Sequence, residues 1–194
     1  MNRKEIIKGD SSESVFSELN KIHDLLGKEF KKQFNRSLPF NDEIFSRWER
    51  AKKLGFGEGA SLYDSSYVFG DVKVGKDTWI GQFTIIDGSG GLIIGEGCTI
   101  SAGVHIYTHD NIKQTLLGKD YPIERESVSI GDRTYIGPQS IVSKGVSIGS
   151  CCILGANSFL NSNMKDNTVY AGNPAKKIAN VIIEDGELKI NYIA

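Results

Sequence analysis

The chain has 194 residues, with 23 Lys and Arg against 24 Asp and Glu, for a formal net charge of -1. That length suits one domain with a small appendage and is ample for a buried core. Near-neutral charge without a basic tract argues against a nucleic-acid partner, whose binding rests on neutralised phosphates, and no stretch of ~18 apolar residues offers a membrane span.

The first residues, Met1 to Ile7, are charged almost at once and lack a secretory apolar run. Three cysteines (Cys98, Cys151, Cys152) are an odd number with two adjacent, so the expectation is a reducing cytoplasm and no disulfide framework. Residues 1–60 read as a helical segment. Asp10 followed by Glu13 resembles a capping box, and Val15, Phe16, Leu19, Ile22, Leu25, Leu26, Phe30 and Phe34 form a helical stripe. Leu38-Pro39 interrupts it. Asn41 then caps a second helix through Ile44, Phe45, Trp48, Ala51 and Leu54, ending at Gly55. The segment is expected to cap one end of the repetitive region beyond residue 60 or to meet another subunit, and His23 within it reads as a surface residue.

A period of six then takes over. Aliphatic residues fall at Leu62, Val68, Val74, Ile80 and Ile86, resume after two extra residues at Ile94, Ile100 and Ile106, and return at Ile130, Ile136, Val142, Ile148, Leu154 and Leu160. The gap between Ile106 and Ile130 is 24 residues, four whole periods, so the register survives it. Gly often comes right after the aliphatic residue, as at Gly75, Gly81, Gly95, Gly131, Gly137, Gly149 and Gly155, and reads as the residue that permits a corner. Four after the aliphatic residue sits something small or β-branched: Ser66, Val72, Thr78, Thr84, Cys98, Val104, Thr134, Ser140, Val146, Cys152 and Ser158. A helix needs a period near 3.6 and a simple strand a period of 2. Six fits a stack of short strands joined by corners, both marked positions pointing inward, each coil burying its face on the next. After residue 179 the run Val181 to Ile190 reads as a hairpin turned at Asp185-Gly186.

These repeats resemble the hexapeptide-repeat acyltransferases over roughly Leu62 to Ala179. The resemblance implies a mainly β fold, a left-handed parallel β-helix of triangular section, divided as residues 1–60 (helical cap), 61–179 (β-helix) and 180–194 (hairpin and tail). Handedness comes from the resemblance alone, since the general preference for right-handed crossovers points the other way.

The chemistry is expected at the interruption. A solenoid tolerates an excursion only on its outside, and insertions of this kind commonly line a binding face. Here the excursion spans residues 110–127, and His109 stands outward at its base. Counting back three repeats from Ile106 lands on Ile86, so Asp87 is expected about one strand spacing (~4.8 Å) from the Tyr107–His109 segment. A carboxylate beside an outward imidazole is the arrangement of a general base. In the sugar acetyltransferases that the chain resembles, Thr108-His109-Asp110 matches the segment supplying the base and Thr84-Ile85-Ile86-Asp87-Gly88 the segment meeting the acceptor. The resemblance thus implies His109 and Asp87 as catalytic residues and Gln82, Asp87, Tyr107 and Asp110 as acceptor contacts. His105 is also outward but lacks the motif match.

The resemblance also implies acetyl-CoA or another acyl-CoA as co-substrate, direct transfer without a covalent intermediate, no metal, and a homotrimer with sites between neighbouring prisms. The run Val169 to Lys176 looks like the family's terminal signature, which puts Gly172, Asn173, Pro174 and Lys176 beside the adenosine end of CoA, and Pro138, Gly155 and Ala156 beside the pantetheine arm. Asn161-Ser162 stands where the family often has Thr-Lys, and Lys165, Lys176 or Lys177 is a substitute for that phosphate contact. Cys98 and Cys152 hold inward positions and read as packing residues.

Two acceptors compete. The phrase Trp48 to Glu58, with Tyr63-Asp64-Ser65 and Ile106 to Asp110, resembles enzymes that acylate the amino group of nucleotide-linked 4-amino-4,6-dideoxy sugars for surface polysaccharide. The helix, Phe34-Asn35 and Gly57-Glu58-Gly59 are similar to maltose or galactoside O-acetyltransferases. The amine acceptor is favoured. A zinc hydratase on the same fold needs three histidines, and the coils carry only His105 and His109. An ice-binding surface needs a flat Thr array, whereas the outward residues here are mixed and charged.

Overall fold

A computed structural model describes residues 3–193; Met1, Asn2 and Ala194, which the first and last sequence segments include, lie outside the described residues. The chain divides into two compact units between Ser46 and Arg47.

In the first unit, α1 (Arg3–Ile6) precedes α2 (Glu13–Phe34) and α3 (Phe40–Ile44). The start of α2 differs from a capping box: Asp10 accepts from the Ser12 N–H at 2.8 Å, and Glu13 reaches back to the Gly9 N–H at 2.9 Å. Its end is set by Asn35, whose left-handed backbone (φ 51°) closes the last turn. Helix α3 begins after Pro39, with Asn41 inside it, and stops at Phe45, whose extended backbone separates it from α4 (Arg47–Lys53). The expected second helix is therefore two short ones. His23 is not simply a surface residue: its Nδ1 lies 2.7 Å from Glu43, a buried carboxylate of α3, and its ring meets Phe40 edge-on.

The second unit opens with α4 closing the first coil. Ala51, Phe56 and Ala60 are buried in the same core as Leu62 and Ile80, and the Arg50 guanidinium ties α4 to the carbonyls of Tyr63 and Ser66. The coils then stack in parallel, and the register gives three ladders. Leu62, Ile80, Ile100, Ile136, Leu154 and Tyr170 succeed one another on the first wall. Val68, Ile86, Ile106, Val142 and Leu160 do so on the second. Val74, Ile94, Ile130, Ile148 and Met164 do so on the third. The aliphatic residues of the six-residue period are thus stacked inward. All are buried apart from half-buried Val68, and each burial stabilises by roughly 1.5–3 kcal/mol relative to exposure. Ile94 pairs with Ile130, so the register does survive the interruption.

The glycines after the aliphatic residues serve a purpose other than the one expected. None of them has a positive φ. They are small because coils touch there: a Cβ on Gly131 would stand 2.6 Å from the Gly149 carbonyl carbon and the Ser150 nitrogen. The left-handed residue comes two places later, at Asp77, Phe83, Gly97, Gly103, Arg133, Gln139, Gly145, Cys151, Asn157 and Asn167. Phe83 holds φ 58° while 63% exposed, a strained state for a bulky residue.

At the far end, Thr168–Gly172 pairs antiparallel with Ala175–Glu184, which pairs in turn with Glu187–Tyr192. Asp185 and Gly186 both have positive φ and join Glu184 to Glu187, as a two-residue hairpin turn demands. The hairpin strand starts at Ala175, so it crosses residue 180 without a break. Val169, Ala179 and Val181 form a small second core under it.

Candidate active site

Between the second and third walls, the coil carrying Ile86 turns at Asp87 and the next coil turns at Tyr107. Pairing of Ile86 with Ile106 brings Asp87 against Thr108 and His109. Asp87 is 1% exposed and Thr108 fully buried, so this carboxylate touches no solvent and must find its partners within the fold. It does. Its Oδ2 accepts from the Thr108 N–H at 2.7 Å, the Thr108 hydroxyl at 3.0 Å and the His109 Nδ1–H at 2.7 Å, while Oδ1 accepts from the Ser89 N–H at 3.0 Å. The Thr108 hydroxyl in turn accepts from the Gly90 N–H at 2.8 Å. Burial raises the Asp87 pKa, but the hydrogen bonds from the Ser89 side chain, the Thr108 and Ser89 N–H groups and His109 outweigh it, holding the carboxyl below the usual carboxylate range.

The consequence for His109 is a fixed tautomer. An ionised Asp87 only accepts, so Nδ1 carries the proton and Nε2 on the far side of the ring is free to take one. The ring is 39% exposed. Tyr107, half-buried, donates its N–H to the Val142 carbonyl and sets its hydroxyl 3.3 Å from His105 Nδ1.

The excursion leaves at once. His109–Asp110 pairs antiparallel with Glu124–Arg125, and α5 (Ile112–Leu117) lies between them. Asp110 is engaged in this neck: its Oδ1 accepts from the Ile112 N–H at 3.0 Å and its Oδ2 meets Lys144 at 3.1 Å. These bonds, first that from Ile112 and then that from Lys144, lower its pKa.

The candidate residues fall into two groups. Asp87, Tyr107, His109 and Asp110 share the corner between the second and third walls. Gln82, Pro138, Gly155, Ala156 and Gly172 come one or two places after the first-wall residues Ile80, Ile136, Leu154 and Tyr170, which puts them one corner earlier. Asn173 and Pro174 continue from Gly172, and Lys176 pairs with Ala171. Pro138, Ala156 and Gly172 are exposed, giving successive coils a rim of small side chains. Among the described residues, the Gln82 Oε1 is buried without a hydrogen-bond partner. One copy of the chain therefore does not bring Gln82 or the CoA candidates to His109. Asp87, expected to meet the acceptor, is sealed behind His109. Lys144, which holds the neck, carries no signal in the sequence because it stands far along the chain from His109.

Cys98 and Cys152 are buried, their thiols directed at the Gly131 and Lys165 carbonyls. Burial pushes the Cys98 thiol up, away from nucleophilic use. All three cysteines are free. Among the described residues no group of three or more His, Cys, Asp or Glu is placed to hold a metal ion, and no helix is long and apolar enough to cross a membrane.

Two family descriptions match the coils. Residues 71–108 match the hexapeptide repeat of succinyl-transferase, and residues 127–162 match the bacterial transferase hexapeptide of six repeats. Both stretches of coil thus carry hexapeptide repeats of the bacterial transferase kind. The chain is 32% identical over 119 residues to a probable acetyltransferase of Mycobacterium tuberculosis, covering 61% of this chain and 38% of that one. It is 24% identical over 168 residues to the galactoside O-acetyltransferase of Escherichia coli, covering 81% and 78%. The chain spans 38%, 63% and 53% of the length of the first three curated relatives it matches. Among solved structures, a hexapeptide-repeat acetyltransferase from Vibrio cholerae complexed with acetyl coenzyme A aligns with a TM-score of 0.61 at 19% identity, covering 89% and 90%. A mutant of AntD, an N-acyltransferase from Bacillus cereus in complex with dTDP and coenzyme A, aligns at 0.58 and 22% identity, covering 68% and 88%. At these identities the likeness concerns the fold.

Proposed function

We propose that this chain is an acyl-CoA-dependent acyltransferase that moves an acetyl or short acyl group directly to the amino group of a nucleotide-linked amino sugar. The observation that carries the reading is the 2.7 Å contact between His109 Nδ1 and the sealed Asp87 carboxylate, at the mouth of an excursion on a family scaffold. Nε2 removes a proton from the amine as nitrogen attacks the thioester carbonyl. The C–N bond forms, the C–S bond breaks, and the proton passes to the departing CoA sulfur. Asp87 stabilises the imidazolium between those events. A backbone N–H of the coil is the expected partner of the tetrahedral oxyanion.

The rim at Pro138, Ala156 and Gly172, with Gly155, is assigned to the pantetheine arm, because small side chains on successive coils leave room for an extended chain. Gly172, Asn173, Pro174 and Lys176 are assigned to the nucleotide end, where Lys176 offers a cation to phosphate. Because that rim and His109 occupy different corners, the reading includes a homotrimer in which one copy's rim faces the next copy's imidazole. Outward Ile85, Ile141 and Phe159 on the second wall are consistent with such a contact, and sedimentation at equilibrium reads the mass directly. Gln82 belongs to the same reading, its unsatisfied oxygen awaiting a donor from acceptor or neighbour.

The galactoside O-acetyltransferase match, which covers most of both chains, favours one alternative, a sugar hydroxyl as acceptor. Acetyl-CoA is incubated with a dTDP-linked 4-amino sugar and, separately, with a free galactoside, and released thiol is counted. Release with the amine and not the galactoside is expected. Release with the galactoside alone selects the O-acyl alternative, and release with neither refutes both.

A further inference from the structure

Lys144 stands two residues after Val142, on the coil stacked against the one that carries His109, where Val142 pairs with Ile106. Its side chain is only 15% exposed, and its ammonium meets Asp110 at 3.1 Å, Glu124 at 2.8 Å and Glu126 at 3.2 Å. Those carboxylates belong to both limbs of the excursion: Asp110 leaves the coil, and Glu124 and Glu126 return to it. The register of the neck makes a cation necessary. Asp110 lies directly opposite Glu124, beside the His109–Arg125 pair, and like charges at facing strand positions drive the strands apart. Lys113 touches Glu124 too, from a largely exposed position, and does not reach Asp110. Lys113 and Lys144 together pull the Glu124 pKa down to about 2, and the bonds from Ile112 and Lys144 lower that of Asp110, so the opposed carboxylates are both charged near neutral pH.

We infer that Lys144 is a positioning residue for His109: by clamping Asp110 to Glu124 it keeps the imidazole against Asp87, with Nε2 presented to the acceptor. This deepens the acyl-transfer reading and rests on it for its consequence in rate, whereas the His109–Asp87 hydrogen bond is observable without any substrate.

Lys144→Met keeps an unbranched side chain of nearly the same length and removes the charge. The expected result is at least a tenfold fall in kcat for thiol release, with KM for acetyl-CoA within twofold of wild type. Lys144→Arg retains more than half the rate, and adding Glu124→Gln to Lys144→Met recovers at least threefold. Proton NMR tracks the downfield Nδ1–H signal of His109, assigned by its loss in His109→Ala. That signal is expected to vanish or broaden in Lys144→Met and to persist in Lys144→Arg. An unchanged signal in Lys144→Met overturns the inference whatever the rate does, and so does a rate within twofold of wild type. A raised KM for acetyl-CoA with unaltered kcat also overturns it, since Lys144 then belongs to CoA binding. If Lys144→Met does not fold, the double variant with Glu124→Gln decides: a wild-type signal supports the clamp, and a missing signal overturns it. A wild-type chain that releases no thiol from either acceptor refutes the acyl-transfer reading, and the NMR comparison still decides the positioning role.

Discussion

Replacing Asp87 by Asn changes one atom at the most densely bonded point of the site. The carboxylate accepts three hydrogen bonds at Oδ2, from the Thr108 N–H, the Thr108 hydroxyl and His109 Nδ1–H, and one at Oδ1 from the Ser89 N–H. A carboxamide offers one acceptor. Its oxygen keeps the three partners at Oδ2, which leaves the amide nitrogen facing the Ser89 N–H, donor against donor, even if the Ser89 hydroxyl turns to accept from it. A buried donor left unsatisfied costs about 1–3 kcal/mol, and for a domain of this size each kcal/mol lowers Tm by about 2–4 °C. Catalysis suffers more. The neutral amide still fixes the tautomer but no longer stabilises the imidazolium. With a positioned general base contributing ~10²–10⁴-fold, kcat is expected to fall by about 10²-fold. KM for acyl-CoA should stay put, because the rim assigned to CoA lies at another corner. Thiol release monitored with a chromogenic disulfide gives both constants, and a thermal melt gives the stability. The double variant with His109→Ala should be no slower than His109→Ala alone, since the two residues act as a unit. A rate within threefold of wild type for Asp87→Asn, or a further multiplicative loss in the double variant, refutes the assigned division of labour.

The same carboxylate sets an acid limit. Its folded pKa lies below that of an unfolded Asp, ~3.9, so the stability it supplies is present above that value and lost as pH falls through the folded one. Melts taken downward from about pH 4 should therefore fall more steeply for the wild type than for Asp87→Asn. At the coil contacts, Gly131→Ala forces a methyl into the Gly149–Ser150 backbone and should cost roughly 1–3 kcal/mol, read as a lower Tm. Phe83→Gly should melt no lower than wild type, because relief of ~1–2 kcal/mol of left-handed strain meets ~0.5–1 kcal/mol of added chain entropy. Ile100→Ala, fully buried between Ile80 and Ile136, should lower the unfolding free energy by roughly 2–5 kcal/mol in denaturant, and a loss under 1 kcal/mol contradicts the inward ladder.

The ladder is legible because burial repeats: Leu62, Ile80 and Ile100 face inward for the same reason, and a repeated cause leaves a repeated letter. Counting by hexads then places Asp87 under His109 without any knowledge of loops. Where the cause is local, the letters say less. Phe83, Arg133, Gln139 and Cys151 occupy left-handed corners that their side chains do not advertise, so the pattern points to Gly81 or Gly137 for the corner instead. The strand that starts at Ala175 owes its extent to pairing with Thr168–Gly172, a tertiary partner that short-range propensity does not reveal. Lys144 is invisible in the letters because what it does depends on a coil stacking that brings it to Asp110 across the whole excursion and the coil that follows it.

The excursion begins and ends at one knot: the Glu126 N–H donates to the Thr108 carbonyl at 2.9 Å, and the lattice resumes at Ile130 as though nothing had intervened. A detour closed at its own base exerts no leverage on the stack, and lengthening it costs only a logarithm. Such a scaffold can exchange the fringe that greets an incoming molecule while its pillars stay as they are. Changes of clientele and changes of durability thus become separate projects, whether undertaken by a breeder of variants at the bench or by descent.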